Sequence, residues 1–329
     1  MKLSFVIPAH NEEQYIGKCL DSISRAIGND TDIEVIVVNN SSTDHTKEVV
    51  ARFPKVKIVD EPNRGANYAR QAGYLAAKSE LIANVDADTM LTPGWIENAL
   101  SAFSEKPDLV CLSGPFIYYD LPEQIKKLVR VFYAVGFLVY VINRFILRRA
   151  SVIQGGNYVV RKSALAKIGG HNTTLTFYGD DADLARRLMK IGKIKFTFGF
   201  PIYSSGRRLA KEGMFTMGLR YGINYFWIIL FNRPFTRQAR EVRPAQENGK
   251  VAYMPENKAR EAMIAAGVCA MLFSVIAGFT YLGYIFIQSG IVGATTFAKI
   301  KTETQKAGNT ITTFSSEVKQ KIEDKLKTQ

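Results

Sequence analysis

The first 115 residues alternate short β-branched, apolar runs with stretches of helical patterning, and this alternation limits the possible folds more than any other feature of the chain. Strand-like runs fall at 3–7, 34–38, 56–59, 81–85 and 109–112, and helix-like stretches at 12–24, 43–52, 66–78 and 93–104. Repeated βαβ units build a mainly parallel sheet covered by helices. In such sheets ligands bind beyond the carboxyl ends of the strands, so the residues at those ends are read first for chemistry.

They are polar and acidic. Pro8-Ala9-His10-Asn11-Glu12-Glu13 follows the first strand, Asn39-Asn40-Ser41-Ser42-Thr43-Asp44 the second, and Asp86-Ala87-Asp88-Thr89 the fourth. Nothing resembles G-x-G-x-x-G or G-x-x-x-x-G-K-[ST], which disfavours a dinucleotide-type glycine turn or a P-loop. Asp86 and Asp88 stand two apart, so extended geometry would send both carboxylates to one side. There they suit Mg²⁺ or Mn²⁺, which in turn binds phosphate oxygens; a solvated turn is the other reading of the same pattern.

A second acidic group, Gly179-Asp180-Asp181-Ala182-Asp183, precedes Leu184, Leu188 and Ile191 at helical spacing, closed by Gly192. Crowded carboxylates raise one another's pKa, which is the tuning a general base requires. Helix capping with an Asp183–Arg187 pair at i, i+4 explains the same residues. Ser204-Ser205-Gly206-Arg207-Arg208 follows a strand-like run at 195–198. Its adjacent arginines read either as a grip on a diphosphate or as a solvated basic turn. Asn63-Arg64-Gly65 and Arg70 offer a further phosphate-facing set.

The remainder of the chain is shaped by apolar segments. Residues 262–287 hold 26 positions without a charged side chain, and a bilayer needs about 20 apolar residues for a helical span. A transmembrane helix at 261–290 is the expectation; a buried core helix is the alternative. Two shorter segments, 128–147 and 214–231, are interrupted by arginines and suit either the core or a membrane surface. Basic residues between 235 and 260 flank the expected span and mark a cytoplasmic side. The tail from Lys299 onward carries seven lysines.

With 43 Lys and Arg against 30 Asp and Glu, the net charge is +13. That excess fits nucleic acid, anionic lipid or a phosphorylated substrate. No aromatic-interleaved basic strand and no helix-turn-helix pattern is present, which excludes nucleic acid as a partner. Cys19, Cys111 and Cys269 lie far apart and form no C-x-x-C pair, so neither a disulfide framework nor a zinc site is expected. Met1-Lys2-Leu3 runs directly into a strand, so no signal peptide is expected and the preceding domain is placed in the cytosol.

Five of these motifs, in order, resemble glycosyltransferase family 2, the inverting nucleotide-sugar enzymes of the Rossmann-like GT-A fold. They are the opening Ser4 to Glu13, Val37 to Asp44, Asn63-Arg64-Gly65 through Gly73, Asp86-Ala87-Asp88, and Gly179-Asp180-Asp181. Asn39 stands where the family usually has Asp, and Asp180 where Glu is more usual.

The resemblance implies an α/β GT-A catalytic domain over 1–212 with an apolar insertion at 125–149. An interfacial helix and basic linker at 213–260, the span at 261–290 and a Lys-rich tail at 291–329 complete the expected organisation. It implies donor contacts from Pro8, Ala9, Asn11, Glu12, Asn40, Arg64, Arg70, Asp86, Arg207 and Arg208, and a divalent cation at Asp86 and Asp88. Asp181 would be the acceptor-activating base, with Asp180 beside it. The implied reaction moves a sugar from a nucleotide-diphosphate sugar to a lipid or lipid-linked glycan hydroxyl, on a single-pass protein facing the cytoplasm. A polyprenyl-phosphate acceptor and a non-catalytic, membrane-tethered nucleotide-sugar-binding protein are the alternatives.

Overall fold

The computed structural model describes residues 2–141, 152–175, 179–231 and 233–236, together with Met263, Ala266 and Gly267. The chain divides into a unit from Met1 to Glu256 and another from Asn257 to Gln329; in the second, the three described residues are helical. Among the described residues no helix is long and apolar enough to cross a membrane. Nearly all of the span expected at 261–290, the tail, and 142–149 of the apolar insertion lie outside the described residues.

The first unit is built on a seven-stranded sheet. Its strands are β1 (Leu3–Ala9), β2 (Ile33–Asn39), β3 (Val56–Asp60), β4 (Leu81–Val85), β6 (Leu109–Ser113), β8 (Asn157–Arg161) and β9 (Lys193–Phe196), in the order β3-β2-β1-β4-β8-β6-β9. A second sheet joins three short strands, β5 (Thr89–Leu91), β10 (Ile202–Ser204) and β7 (Phe116–Tyr118). The main sheet is parallel except at β8, which runs antiparallel to both β4 and β6.

Alternation along the central strands divides the core between two faces, as the two-residue period of a strand requires. Leu3, Phe5, Ile7 and Ala9 of β1 join one cluster with α1 (Ile16–Ile27) and α4 (Trp95–Glu105), whereas Val6 joins the other. That other face is covered by α3 (Ala66–Ala76), α6 (Lys162–Lys167) and α7 (Asp180–Leu188). In α1 the buried residues Ile16, Cys19, Leu20 and Ile23 form a single stripe at helical spacing. On α3, Gly73 is required by packing, because a Cβ there would lie 2.2 Å from Val6 Cγ1.

The expected strands and helices of the first 115 residues all form, with shifted ends. The helix expected from residue 12 begins at Ile16, because residues 10–15 form a loop tied to the segment after β2. There the backbone amide of Thr43 donates to Asn11 Oδ1 at 2.8 Å and that of Glu12 donates to Thr46 Oγ1 at 2.7 Å. The helix expected over 43–52 narrows to α2 (Thr46–Ala51), since Asp44 Oδ1 accepts the Thr46 amide at 3.0 Å and stops the turn.

Two apolar helices finish the unit, α5 (Glu123–Val141) and α9 (Met214–Phe231), with α8 (Arg207–Glu212) leading into the latter. Leu121, Val129, Leu209, Ala210 and Met214 form a small core between them, and Gly218 of α9 faces the Phe132 ring of α5. Farther along α9, Ile228 packs on Leu175 and Ala182. Both helices keep apolar side chains on the surface: Val131 and Phe132 on α5, and Tyr221, Ile223 and Phe231 on α9.

Candidate active site

The order β3-β2-β1-β4 places a switch point between β1 and β4, where successive connections leave in opposite directions and their loops part. A cleft of about 870 Å³ opens there. Its walls include Pro8, Ala9, Glu12, Asn40, Arg64, Arg70, Asp86, Asp88, Asp180, Asp181, Arg207 and Arg208, so residues from six separate motifs meet in one cavity. Asn11 is the exception among the expected residues: it does not line the cleft, and its side chain secures the loop at Thr43.

Asp86 and Asp88 lie in a tight turn rather than an extended segment, because β4 ends at Val85 and the Thr89 amide donates to the Asp86 carbonyl at 3.1 Å. The expectation of strand geometry is therefore corrected. The turn directs the two carboxylates to different arginines. Arg70 Nη2 lies 3.4 Å from Asp86 Oδ1, and Arg207 Nη2 lies 3.0 Å from Asp88 Oδ2.

Arg70 is buried and reaches across the site, its Nη1 donating to Asp180 Oδ2 at 2.5 Å. One guanidinium thereby connects the carboxylate after β4 to the carboxylates that begin α7. Arg207 is held as firmly, with Nη2 at 2.6 and 2.7 Å from the two Glu12 oxygens and the guanidinium carbon 4.3 Å from the Tyr15 ring centre. Arg208 also lines the cleft and pairs with Glu212 at 2.9 Å.

Asn40 lines the cleft, but its side chain is already engaged. Nδ2 donates to the carbonyls of Glu61 and Asn63, and Oδ1 accepts the Gly65 amide at 2.8 Å. It shapes the Asn63-Arg64-Gly65 loop from below. Sequence patterning gave no signal for Tyr15, Gln154 or the Gly155-Gly156 pair before β8, where the backbone closely approaches Asp86. A Cβ on Gly156, whose φ is +81°, would lie 2.1 Å from Asp86 Oδ2.

Asp181 lines both the main cleft and an adjoining cavity of about 110 Å³ enclosed by Gly179, Ala182, Tyr221, Asn224 and Tyr225. Its carboxyl is pushed up to about 7, by burial first and by the neighbouring Asp180 charge second. The amide of Ala182 donates to Oδ1 at 2.8 Å and opposes that rise. Burial also raises the Asp180 carboxyl, against the pull of Arg70. Asp183 takes no part: it is buried on the far side of the helix turn and pairs with Arg186 at 2.9 Å and Arg187 at 2.7 Å. The Asp183–Arg187 pair thus forms, although no side chain caps the helix, while Asp180 and Asp181 face the cleft.

The donor set fits a divalent cation. Asp86 and Asp88 would supply hard oxygen ligands at the cleft wall, and Gly156 leaves the Asp86 carboxylate the space it occupies. Among the described residues no group of three or more His, Cys, Asp or Glu side chains converges to cage a metal. A cation here would complete its coordination with diphosphate oxygens and water, as Mg²⁺ commonly does.

A doubly wound sheet with acids and arginines gathered at its switch point defines a Rossmann-like α/β protein of the GT-A class. The model of glycosyl transferase family 2 matches residues 4–169, half of the chain, and the protein belongs to that family. Chondroitin synthase of Pasteurella multocida strain Pm70 is 35% identical over 115 residues, covering 33% of this chain and 12% of that protein. Putative glycosyltransferase EpsH of Bacillus subtilis strain 168 is 30% identical over 112 residues, covering 33% of this chain and 32% of that one. The chain thus spans at most about a third of the length of these two relatives. Mannosyltransferase PcManGT from Pyrobaculum calidifontis, solved in complex with GDP-Man and Mn²⁺, shares the fold at a TM-score of 0.53 and 19% identity, over 70% of this chain and 64% of that one.

Proposed function

We propose that the protein is an inverting, cation-assisted glycosyltransferase that moves a sugar from a nucleoside-diphosphate sugar to a hydroxyl on a lipid or lipid-linked glycan. The observation that supports this reading best is the mixed lining of the cleft. Acids and arginines from beyond β1 and β4 share it with Val129, Phe132, Met214, Met217 and Tyr221 of α5 and α9. A charged donor suits the first group and an apolar-tailed acceptor the second. Exposed Lys127 and Arg130 beside exposed Val131 and Phe132 on α5 suit an anionic membrane surface. In this reading the protein is anchored in the cell membrane by the span expected at 261–290, with the catalytic unit on the cytoplasmic side.

The chemistry follows from the side chains in place. Asp181 accepts the proton of the acceptor hydroxyl as its oxygen attacks the anomeric carbon. The diphosphate leaves from the opposite face, so configuration inverts. Arg70 holds Asp180 and Asp86 together, which fixes the distance between the base and the donor end. A divalent cation, held by Asp86 and Asp88, would supply positive charge to the departing diphosphate oxygens.

The full chain, incubated with Mn²⁺, a panel of radiolabelled nucleotide sugars and membrane lipid extract, is expected to transfer label into the organic phase. The product should resist mild acid, as a glycoside does and a glycosyl phosphate does not. Full activity on soluble sugar acceptors after deletion of residues 261–290, with no lipid product, would overturn the lipid assignment.

Gly156→Ala provides a test of the donor end. Its Cβ would displace the Asp86 carboxylate, so nucleotide-sugar affinity should fall about tenfold or more in isothermal titration, which corresponds to about 1.4 kcal/mol. At Gly155 the nearest atoms to a new Cβ lie 3.9 Å away, so Gly155→Ala should bind like the parent. Equal affinities for all three proteins would detach Asp86 from donor binding.

A further inference from the structure

Arg207 occupies an unusual position for a residue expected to clasp a diphosphate, because its charge is already committed to carboxylates. Nη2 lies within 2.7 Å of both Glu12 oxygens and 3.0 Å from Asp88 Oδ2, with all three side chains at most 15% exposed. Its backbone is equally constrained. The Gly206 amide and the Ser205 hydroxyl both donate to the Asp120 carboxylate at 2.6 Å, and the Ser205 amide donates to the Asp88 carbonyl at 3.2 Å. The start of α8 is thereby fastened to the very turn that carries Asp88.

A guanidinium this close to Asp88 occupies the electrostatic place of a cation. A free divalent ion arriving at that carboxylate meets a fixed positive charge a few ångströms away, in surroundings where water screens weakly. A diphosphate changes the balance, since its oxygens give both the ion and the guanidinium an anionic partner.

We propose that Arg207 is the built-in counter-ion of Asp88 in the donor-free protein, rejecting a lone divalent cation and admitting one only together with a nucleoside diphosphate. The role is that of a positioning and selectivity residue: it gives Glu12 and Asp88 a shared cationic partner between turnovers and makes cation uptake conditional on the donor. It rests on the cation-assisted reading above.

The test measures Mn²⁺ binding directly, by electron paramagnetic resonance on the full chain, without and with UDP or GDP. In the unmutated protein Mn²⁺ alone should bind weakly. Arg207→Gln, which removes the charge, should bind Mn²⁺ alone about tenfold more tightly or better. Lys211→Gln removes an equal charge from the same helix but does not line the cleft, and should stay near the parent value. If the unmutated protein binds Mn²⁺ alone as tightly as Arg207→Gln, the counter-ion role is overturned and the cation reading stands. If no protein in the set takes up Mn²⁺ with or without nucleotide, the cation reading itself is overturned.

Should Arg207→Gln fail to fold, the unmutated protein still decides the matter. The Arg207 Nε–H resonance, assigned by its loss in Arg207→Lys, should move on adding Mg²⁺ with UDP or GDP and stay still with Mg²⁺ alone. Movement with Mg²⁺ alone would overturn the proposal.

Discussion

Asp181→Asn is expected to lower transfer by roughly 10²–10⁴-fold, the usual contribution of a positioned general base, while leaving nucleotide-sugar affinity near the parent value. The amide keeps the shape of the side chain and its acceptor oxygen for the Ala182 amide, but it cannot take up a proton. Steady-state rates and a direct donor titration separate the two effects. Near-parental turnover would remove Asp181 from the base role.

The pH dependence gives the same prediction a second readout. With its carboxyl pushed up to about 7, Asp181 is protonated below that pH and useless as a base, so turnover should rise with pH and level off above about 7. Since the Asp180 charge is part of what raises Asp181, Asp180→Asn should move the acid limb to lower pH. The raised carboxyl also has a stability consequence. Between its ordinary value of 3.8 and about 7 the folded state binds more protons at this site than the unfolded chain does. This group's contribution therefore favours folding at low pH and is lost as pH rises through that window. The site retains a group that works against folding where the chemistry needs it ionised.

Arg70→Met should have the largest effect on stability, about 3 kcal/mol, because it removes a buried guanidinium and leaves the largely buried Asp180 and the partly exposed Asp86 without their shared cation. Removing one partner of a buried ion pair costs more than the pair itself contributes, since the remaining charge keeps its desolvation penalty. Chemical denaturation of the full chain would show the shift in midpoint. Arg70→Lys keeps the charge but presents a single ammonium instead of a fork, so it should recover only part of the loss. An unchanged midpoint in Arg70→Met would mean that the two carboxylates find other partners, and that the link between donor end and base is not built through this guanidinium.

Much of the fold was legible because patterning is a local property. The short apolar, β-branched runs at 3–7, 34–38 and 81–85 marked the central strands, and the helix-like stretch at 12–24 marked most of α1 with no tertiary information. Short elements were not legible. β5, β7 and β10 are three residues each, too few to display any period, and each exists only because its neighbours pair with it. The antiparallel β8 could not be read either, since a strand's direction depends on the path of the chain that delivers it.

The candidate site divides in the same way. Sequence by itself determined which residue types stand at the strand ends and which acids begin α7, because those follow from local patterning and order along the chain. It also placed Asp86, Asp88 and Asp181 where chemistry would be sought. Only the tertiary structure decided who neutralises whom. Arg70 reaches an acid 110 residues away, and Arg207 one 195 residues away. It assigned Asn11 and the side-chain amide of Asn40 to holding loops, and it brought apolar α5 and α9 to the cleft wall. Ion pairs between distant residues arise when the sheet closes and the helices dock, and no local pattern encodes that closure.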